Sequence, residues 1–255
     1  MARQHQLYPT VPLSTTRSGF SLQALNQLCQ YSYGVGRGES MTLLGQHSFP
    51  NERLGSYWVL DSLYCTRTGL EGMIAAPALS SGQADYQHMA VVFAGTNLKD
   101  DARNDLRATP STFILPWKNP FGQAEQAEIL VDKARYLAQE KGLVDPHILL
   151  TGHSLGGGLA LLLGIRQQLP AQVFCAVDPW RVLNTAERER AQQSDSQMYV
   201  DYRLKNDRFT GPLNWFLSGR ANRSAKVVWC GDGEAPFAHW LDNFQFDSSG
   251  NILAA

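Results

Sequence analysis

Residues 148–158 read ILLTGHSLGGG, and this stretch decides the fold. Ile148 to Thr151 form a short apolar run typical of a buried strand, and Leu155 to Leu169 form a segment that is apolar nearly all round, as in a buried helix. Between them, Gly152-His153-Ser154-Leu155-Gly156 fits the pattern Gly-x-Ser-x-Gly. With a strand before it and a helix directly after it, the pattern predicts a tight strand-to-helix turn that carries Ser154 at its tip.

The rest of the chain extends this unit in both directions. Further strands are predicted at 57–65, 70–76, 88–94, 173–177, 198–204 and 227–230, and further helices at 21–30, 124–141 and 185–193. Short connections between the first three strands favour an antiparallel arrangement. From residue 124 onward helices alternate with strands, which is typical of a parallel sheet. We therefore predict a single α/β domain over 1–255, with a mostly parallel central sheet, antiparallel N-terminal strands and helices on both faces.

The turn gives Ser154 the setting of a nucleophile. The following helix directs its free N–H groups at the tip of the turn. A serine hydroxyl also needs a base to take its proton. His153 is adjacent, but neighbouring side chains at such a turn diverge. His239 is the only histidine after Ser154 and follows the strand 227–230 in a loop, so it is the predicted base.

The third partner is an acid that would orient His239, and two aspartates are candidates. Asp207 comes just after the strand 198–204, where the edge of the sheet would present it beside the histidine loop. Asp178 directly follows the strand 173–177, although it also has the character of a turn former before Pro179. Both positions remain open on spacing alone, with Asp207 favoured.

An oxyanion formed at Ser154 would need two N–H donors. One is expected from Leu155, the residue after the nucleophile. The other is expected from the loop after the strand 88–94, where Gly95 permits a tight turn and Thr96 offers both its backbone N–H and its hydroxyl.

The composition of the chain narrows the possible binding partners, cofactors and locations of the protein. The 255 residues are 44% hydrophobic and 18% charged with a net charge of −1, which gives no general electrostatic reason to bind nucleic acid or an anionic membrane. The four cysteines have neither zinc-ligand nor disulfide-framework spacing. We find no apolar stretch long enough for a signal peptide or a membrane span. The expectation is a soluble protein without cofactor or metal, cytoplasmic or secreted without a cleaved signal peptide.

The motifs together resemble the class 3 lipase family of α/β-hydrolases. The resemblance rests on Phe93-Ala94-Gly95-Thr96, on the elbow Gly152 to Gly157, on Asn206-Asp207 and on His239-Trp240. The segment 178–184 is similar to the family's Pro-Arg-Val-Gly-Asn segment, which favours Asp207 over Asp178 as the acid. The chain departs from the family at Ala94, where an arginine is usual, and at Phe209 in the acid segment.

The resemblance implies a serine hydrolase that cleaves carboxylic esters of lipids, a lipase or phospholipase, through an acyl-enzyme. It also implies a lid at 97–121, whose apolar part would bind substrate through Phe113, Leu115 and Trp117. A lipid or phospholipid substrate would bring transient contact with a membrane surface, and an inhibitory partner is expected if the protein is an effector acting on the membranes of another cell. An acyltransferase, a thioesterase, a peptidase or a binding protein without catalysis would share the same residues.

Overall fold

The computed structural model describes residues 19–33, 57–65, 68–95, 122–234 and 238–253. Its centre is a seven-stranded sheet whose order follows the chain, β1 to β7. The strands are β1 Tyr57–Cys65, β2 Leu70–Pro77, β3 His88–Phe93, β4 His147–His153, β5 Ala171–Phe174, β6 Tyr199–Arg203 and β7 Lys226–Trp229. The pairs β1–β2 and β2–β3 are antiparallel and the four later pairs are parallel, so the predicted α/β class and sheet arrangement are confirmed.

Five α-helices occur in the described part of the chain. They are α1 Leu22–Ser32, α2 Gln123–Glu140, α3 Leu155–Gln167, α4 Thr185–Gln193 and α5 Thr210–Ser218. The first four lie within a few residues of their predicted positions, whereas α5 was not predicted. None of these helices is long and apolar enough to cross a membrane. The predicted lid at 97–121 lies outside the described residues.

The sheet separates two hydrophobic cores. Side chains alternate across β3, with Met89, Val91 and Phe93 facing the core formed with α2 and α3. Ala90 and Val92 face the core on the side of α1. This alternation is the period of two that a strand buried on both faces requires.

The parallel strands place their carboxyl ends at one edge. Gly95 follows β3, Ser154 follows β4, Cys175 follows β5 and Asp207 lies in the loop after β6. Sites in open α/β sheets form at this edge, and the predicted functional residues that the structure describes are all close to it.

Candidate active site

Ser154 occupies a strained turn between β4 and α3. Its backbone angles are φ 56° and ψ −122°, a combination that L-residues rarely adopt. The turn is held by main-chain hydrogen bonds: Ser154 N donates to Phe174 O (3.1 Å), and Ser154 O accepts from Val177 N (3.0 Å) and Gly158 N (3.1 Å). Backbone contacts with β5 and α3 therefore fix the serine at the tip of the turn, in the geometry of a nucleophile elbow.

The glycines of the motif are required by close backbone packing. A Cβ on Gly156 would lie 2.2 Å from Phe93 O, and one on Gly152 would lie 2.5 Å from the carbonyl carbon of Gly156. Any side chain at either position would force α3 away from β3 or β4. The two glycines thus set how closely the helix crosses the strands, and with it the position of Ser154.

One of the two predicted oxyanion donors lies in the described part of the chain. Leu155 is the first residue of α3, where a backbone N–H has no acceptor within the helix. Thr96, the second predicted donor, lies outside the described residues. Its neighbour Gly95 is described, and a Cβ there would lie 2.9 Å from Ser154 Cβ. The chain that leads to Thr96 therefore leaves β3 directly beside the serine.

Asp207 and His239 form a buried hydrogen-bonded pair. His239 Nδ1 lies 3.1 Å from Asp207 Oδ1. The carboxylate only accepts, so Nδ1 carries the proton and Nε2 is the basic nitrogen of the neutral ring. Phe209 N (2.9 Å) and Thr210 N (3.1 Å) also donate to Oδ1, while the Thr210 hydroxyl donates to Oδ2.

The surroundings of Asp207 keep its carboxylate ionised. Burial alone would raise its pKa, but His239, the Thr210 hydroxyl and the Arg203 guanidinium together outweigh burial and hold the pKa of Asp207 well below its usual range. A carboxylate that stays charged can orient the imidazole and stabilise its protonated form.

Arg203 connects this pair to a second buried aspartate. Its Nη2 donates to Asp207 Oδ2 (3.2 Å) and Thr210 Oγ1 (2.7 Å), and its Nη1 donates to Asp201 Oδ2 (2.8 Å) and Ala176 O (2.9 Å). Burial raises the pKa of Asp201 although the guanidinium opposes this. One buried cation thus faces two buried carboxylates and fixes the position of the Asp207 side chain.

His153 links the elbow to the loop that carries His239. Its Nε2 donates to His239 O (2.9 Å), and its Nδ1 lies 2.6 Å from the Tyr33 hydroxyl. The first bond puts the proton on Nε2, so Nδ1 accepts from Tyr33. Burial, together with the positive charge that His239 carries when it is protonated, lowers the pKa of His153 to about 3. Both ring nitrogens of His153 are therefore occupied by these bonds, and it serves as a neutral bridge between the elbow and this loop.

The serine and the histidine pair lie at the same edge without a direct hydrogen bond. Within the described residues, Ser154 Oγ has no hydrogen bond to His239, although the ring of the adjacent His153 lies 4.5 Å from that of His239. Catalytic hydrogen bonds are often long without substrate and shorten in the complex. Rotation of the Ser154 hydroxyl or of the His239 ring on binding substrate is the change that the proposed proton transfer would require.

Asp178, the alternative acid, has a different role. Its carboxylate accepts from Trp180 N (3.0 Å), Ser224 Oγ (2.6 Å) and Arg223 N (2.7 Å). These bonds cap the short helix Pro179–Val182 and tie it to the segment before β7. Asp178 stabilises a turn, and Asp207 is the aspartate bonded to His239.

Cys175 lies beneath the pair and is the remaining polarisable group nearby. Its Sγ, an Asp207 oxygen and a His239 nitrogen all lie within 4.8 Å of one another. Burial, and then the charge of Asp207, raises the pKa of the Cys175 thiol well above its usual range. The Cys175 thiol therefore stays neutral against the Asp207–His239 pair.

The sequence did not point to Tyr33, Arg203 or Thr210. One signal was present: Asp201 and Arg203 alternate in an otherwise apolar strand, so two opposite charges share one buried face. The expected substrate-binding residues Phe113, Leu115 and Trp117 lie outside the described part of the chain.

Comparison with known proteins supports the fold. No protein-family model and no curated protein sequence matches the chain. Among solved structures, a mutant form of MDLA from Penicillium cyclopium aligns at 15% identity and a TM-score of 0.57, covering 95% of this chain and 87% of that chain. The native Rhizomucor miehei lipase propeptide complex aligns at 16% identity and a TM-score of 0.52, covering 99% of this chain and 76% of that chain. Lipase II from Rhizopus niveus aligns at 12% identity and a TM-score of 0.51, covering 91% of this chain and 86% of that chain.

These alignments agree with the resemblance that the motifs indicated. Each of the three alignments covers more than 90% of this chain at a TM-score above 0.5. The chain thus has an α/β-hydrolase fold, as do the three structures with which it aligns.

Proposed function

We propose that the protein is a serine hydrolase that cleaves carboxylic esters of lipids. The observation that carries the proposal is the joint placement of a strained Ser154 and an ionised Asp207 bonded to His239 at one sheet edge. His153 holds the two parts together through its bond to His239 O. This is the set of groups that acyl transfer through a serine requires.

In the proposed reaction, Ser154 Oγ attacks the ester carbonyl while its proton passes to His239 Nε2. The oxygen of the carbonyl becomes an oxyanion that accepts from the N–H of Leu155 and from Thr96. The carbon–oxygen bond to the alcohol then breaks, and His239 returns the proton to the leaving alcohol. Water, deprotonated by the same nitrogen, attacks the acyl-enzyme and releases the fatty acid and Ser154. Asp207 orients the imidazole and stabilises its charged form throughout.

A lipid substrate is supported by the fold and by the surface. Two of the aligned structures carry the word lipase in their names. Phe209, half-exposed, packs its ring 5.2 Å from that of His239, so the base lies against an apolar side chain open to solvent. The predicted lid at 97–121, with Phe113, Leu115 and Trp117 on the acyl chain, completes the proposal.

Product analysis tests this function. Purified protein and its Ser154→Ala variant would be incubated with a triglyceride emulsion and with phospholipid vesicles whose two acyl chains differ. Fatty acid released by the parent and not by the variant is the expected result, and the substrate that yields it separates lipase from phospholipase. No release from either substrate, or equal release by the variant, would contradict the proposal.

A further inference from the structure

The outward face of α5 is apolar, which is unusual for a surface helix. Thr210, Asn214 and Leu217 point inward and are buried. Trp215 and Phe216 point outward and are 64% and 68% exposed. The helix contains no charged residue. A surface helix normally turns polar side chains to water, so this exposed apolar stripe is suited to a non-aqueous partner.

The stripe continues to the candidate site. Phe209, which precedes α5, is 51% exposed and lies against His239. An open cleft of about 240 Å³ beside the helix is lined by Asp207, Trp215 and Trp229 among other residues. Phe209, Trp215 and Phe216 are called the α5 patch below. Within the patch, Trp215 shares the cleft with Asp207 and Phe209 lies against the proposed catalytic base.

The segment of the chain that carries the patch has charged side chains of one sign. Residues 208–229 contain four basic side chains and no acidic one, although the whole chain carries a net charge of −1. The four, all exposed, are Arg208, Arg220, Arg223 and Lys226. Arg208 and Arg220 flank the two ends of α5. Across the cleft, Lys205 lies 3.9 Å from Asp232, so that pair adds no net charge.

We propose that the α5 patch docks the protein on an anionic phospholipid bilayer. Trp215 and Phe216 enter the boundary between headgroups and acyl chains, where such side chains are favoured. Arg208 and Arg220 remain at the level of the lipid phosphates, with their apolar stems along the surface. This inference rests on the proposed function, because docking there would present the lipid ester to Phe209 and His239.

Binding to vesicles tests the docking without any need for catalysis. Ser154→Ala protein would be sedimented with vesicles of phosphatidylcholine alone and of phosphatidylcholine with one-third phosphatidylglycerol, at low and high salt. We expect binding to the anionic vesicles that weakens with salt. Arg208→Glu and Arg220→Glu should each weaken it about fivefold or more, and Trp215→Ser with Phe216→Ser about tenfold.

Matched controls lie on α2, on another part of the surface. Ile129 and Tyr136 are exposed apolar side chains of that helix, and Ile129→Ser with Tyr136→Ser should bind as the parent does. Arg135→Glu is the matching charge control. Equal loss in these controls would overturn the proposal. So would equal binding to neutral and anionic vesicles, parental binding by the patch variants, or a dimer of the parent that the patch variants abolish.

A fluorescence measurement separates insertion from charge attraction alone. Phosphatidylcholine brominated in its acyl chains, mixed with phosphatidylglycerol, should quench part of the tryptophan emission, and Trp215→Phe should remove most of that quenching. Unchanged quenching in Trp215→Phe would contradict insertion at α5. Hydrolysis of a soluble ester by protein with Ser154 intact reports separately on the proposed function. If hydrolysis fails while the vesicles still bind, the function is wrong and the docking stands.

Discussion

The two halves of the candidate site are positioned by different interactions. Ser154 is fixed by main-chain hydrogen bonds and by glycines that let α3 cross β3 and β4 at close range. Asp207 and His239 are fixed by side chains, with Arg203 and Thr210 on the acid and His153 on the loop of the base. The comparison teaches that the nucleophile depends on a backbone shape, whereas the acid–base pair depends on side-chain contacts, local ones on Asp207 and one from His153 that spans 86 residues of sequence.

We expect the largest loss of stability when the side-chain contacts that hold Asp207 are removed. Arg203→Met leaves Asp201 and Asp207 buried without their cation, which should cost about 3–5 kcal/mol of unfolding free energy. Urea unfolding would measure it. Arg135→Met, which removes an exposed ion pair with Asp132, is the control and should leave the unfolding midpoint unchanged. Similar midpoints for the two variants would show that Arg203 does not hold the buried network.

The backbone arrangement that holds Ser154 should be destabilised by adding a side chain at one of its glycines. A Cβ added by Gly156→Ala meets Phe93 O at 2.2 Å, so we expect a loss of about 3 kcal/mol from overpacking. Gly211→Ala is the matched control, because a Cβ on Gly211 meets nothing within 4 Å, and it should be neutral or slightly stabilising in the helix. Equal stability of the two variants would contradict the close crossing of α3 over β3.

His153, which connects the elbow of Ser154 to the loop of His239, should make the unfolding free energy depend on pH. Unfolded His153 takes up a proton as the pH falls below 6.5, whereas in the folded protein its pKa is about 3. The unfolded state therefore binds more protons in this window, and stability is lost as the pH falls. At pH 5 the loss attributable to His153 is about 2 kcal/mol. The unfolding free energy of His153→Gln, measured from pH 7 to pH 5, should fall less than that of the parent by this amount, and parallel curves would refute the bridge.

We expect the smallest loss of stability when the hydroxyl of Thr210 is removed. Thr210→Val keeps the shape of the side chain but removes a hydroxyl that donates to Asp207 Oδ2 and accepts from Arg203. We expect a loss of about 1 kcal/mol in stability, with partial loss of ester hydrolysis. Thr210→Ser retains the hydroxyl and should restore most of both. Equal behaviour of the two variants would exclude a role for this hydrogen bond.

The same contrast explains what the sequence could predict. The strands and the elbow follow from local patterns, namely the apolar runs of the strands and the spacing of Gly152, Ser154 and Gly156. Asp207 could not be separated from Asp178 by spacing alone, since both follow strands and the contact that distinguishes Asp207, with His239, spans 32 residues of sequence. The decisive contacts are that of His239 with Asp207 and that of Ser224, 46 residues away in sequence, with Asp178.

Helix α5 escaped prediction for a related reason. Gly211 and Pro212 are residue types typical of loops, yet both lie in the first turn of the helix, where a proline removes no intrahelical hydrogen bond. Its outer face carries Trp215 and Phe216 rather than polar side chains, so the usual alternation of apolar and polar faces is missing. The exposed apolar face made the helix hard to predict, and the same face is the one that we propose to dock on lipid.

The central claim, that Ser154 is a nucleophile activated by His239, can be tested with a serine-directed organophosphate. Diethyl p-nitrophenyl phosphate would transfer its phosphoryl group to the activated hydroxyl and release p-nitrophenolate, and mass spectrometry of peptides would locate the adduct. We predict one adduct, on Ser154, absent from Ser154→Ala and formed far more slowly in His239→Ala and Asp207→Asn. An adduct on another residue, or labelling of Ser154 at the parental rate without His239, would contradict the account.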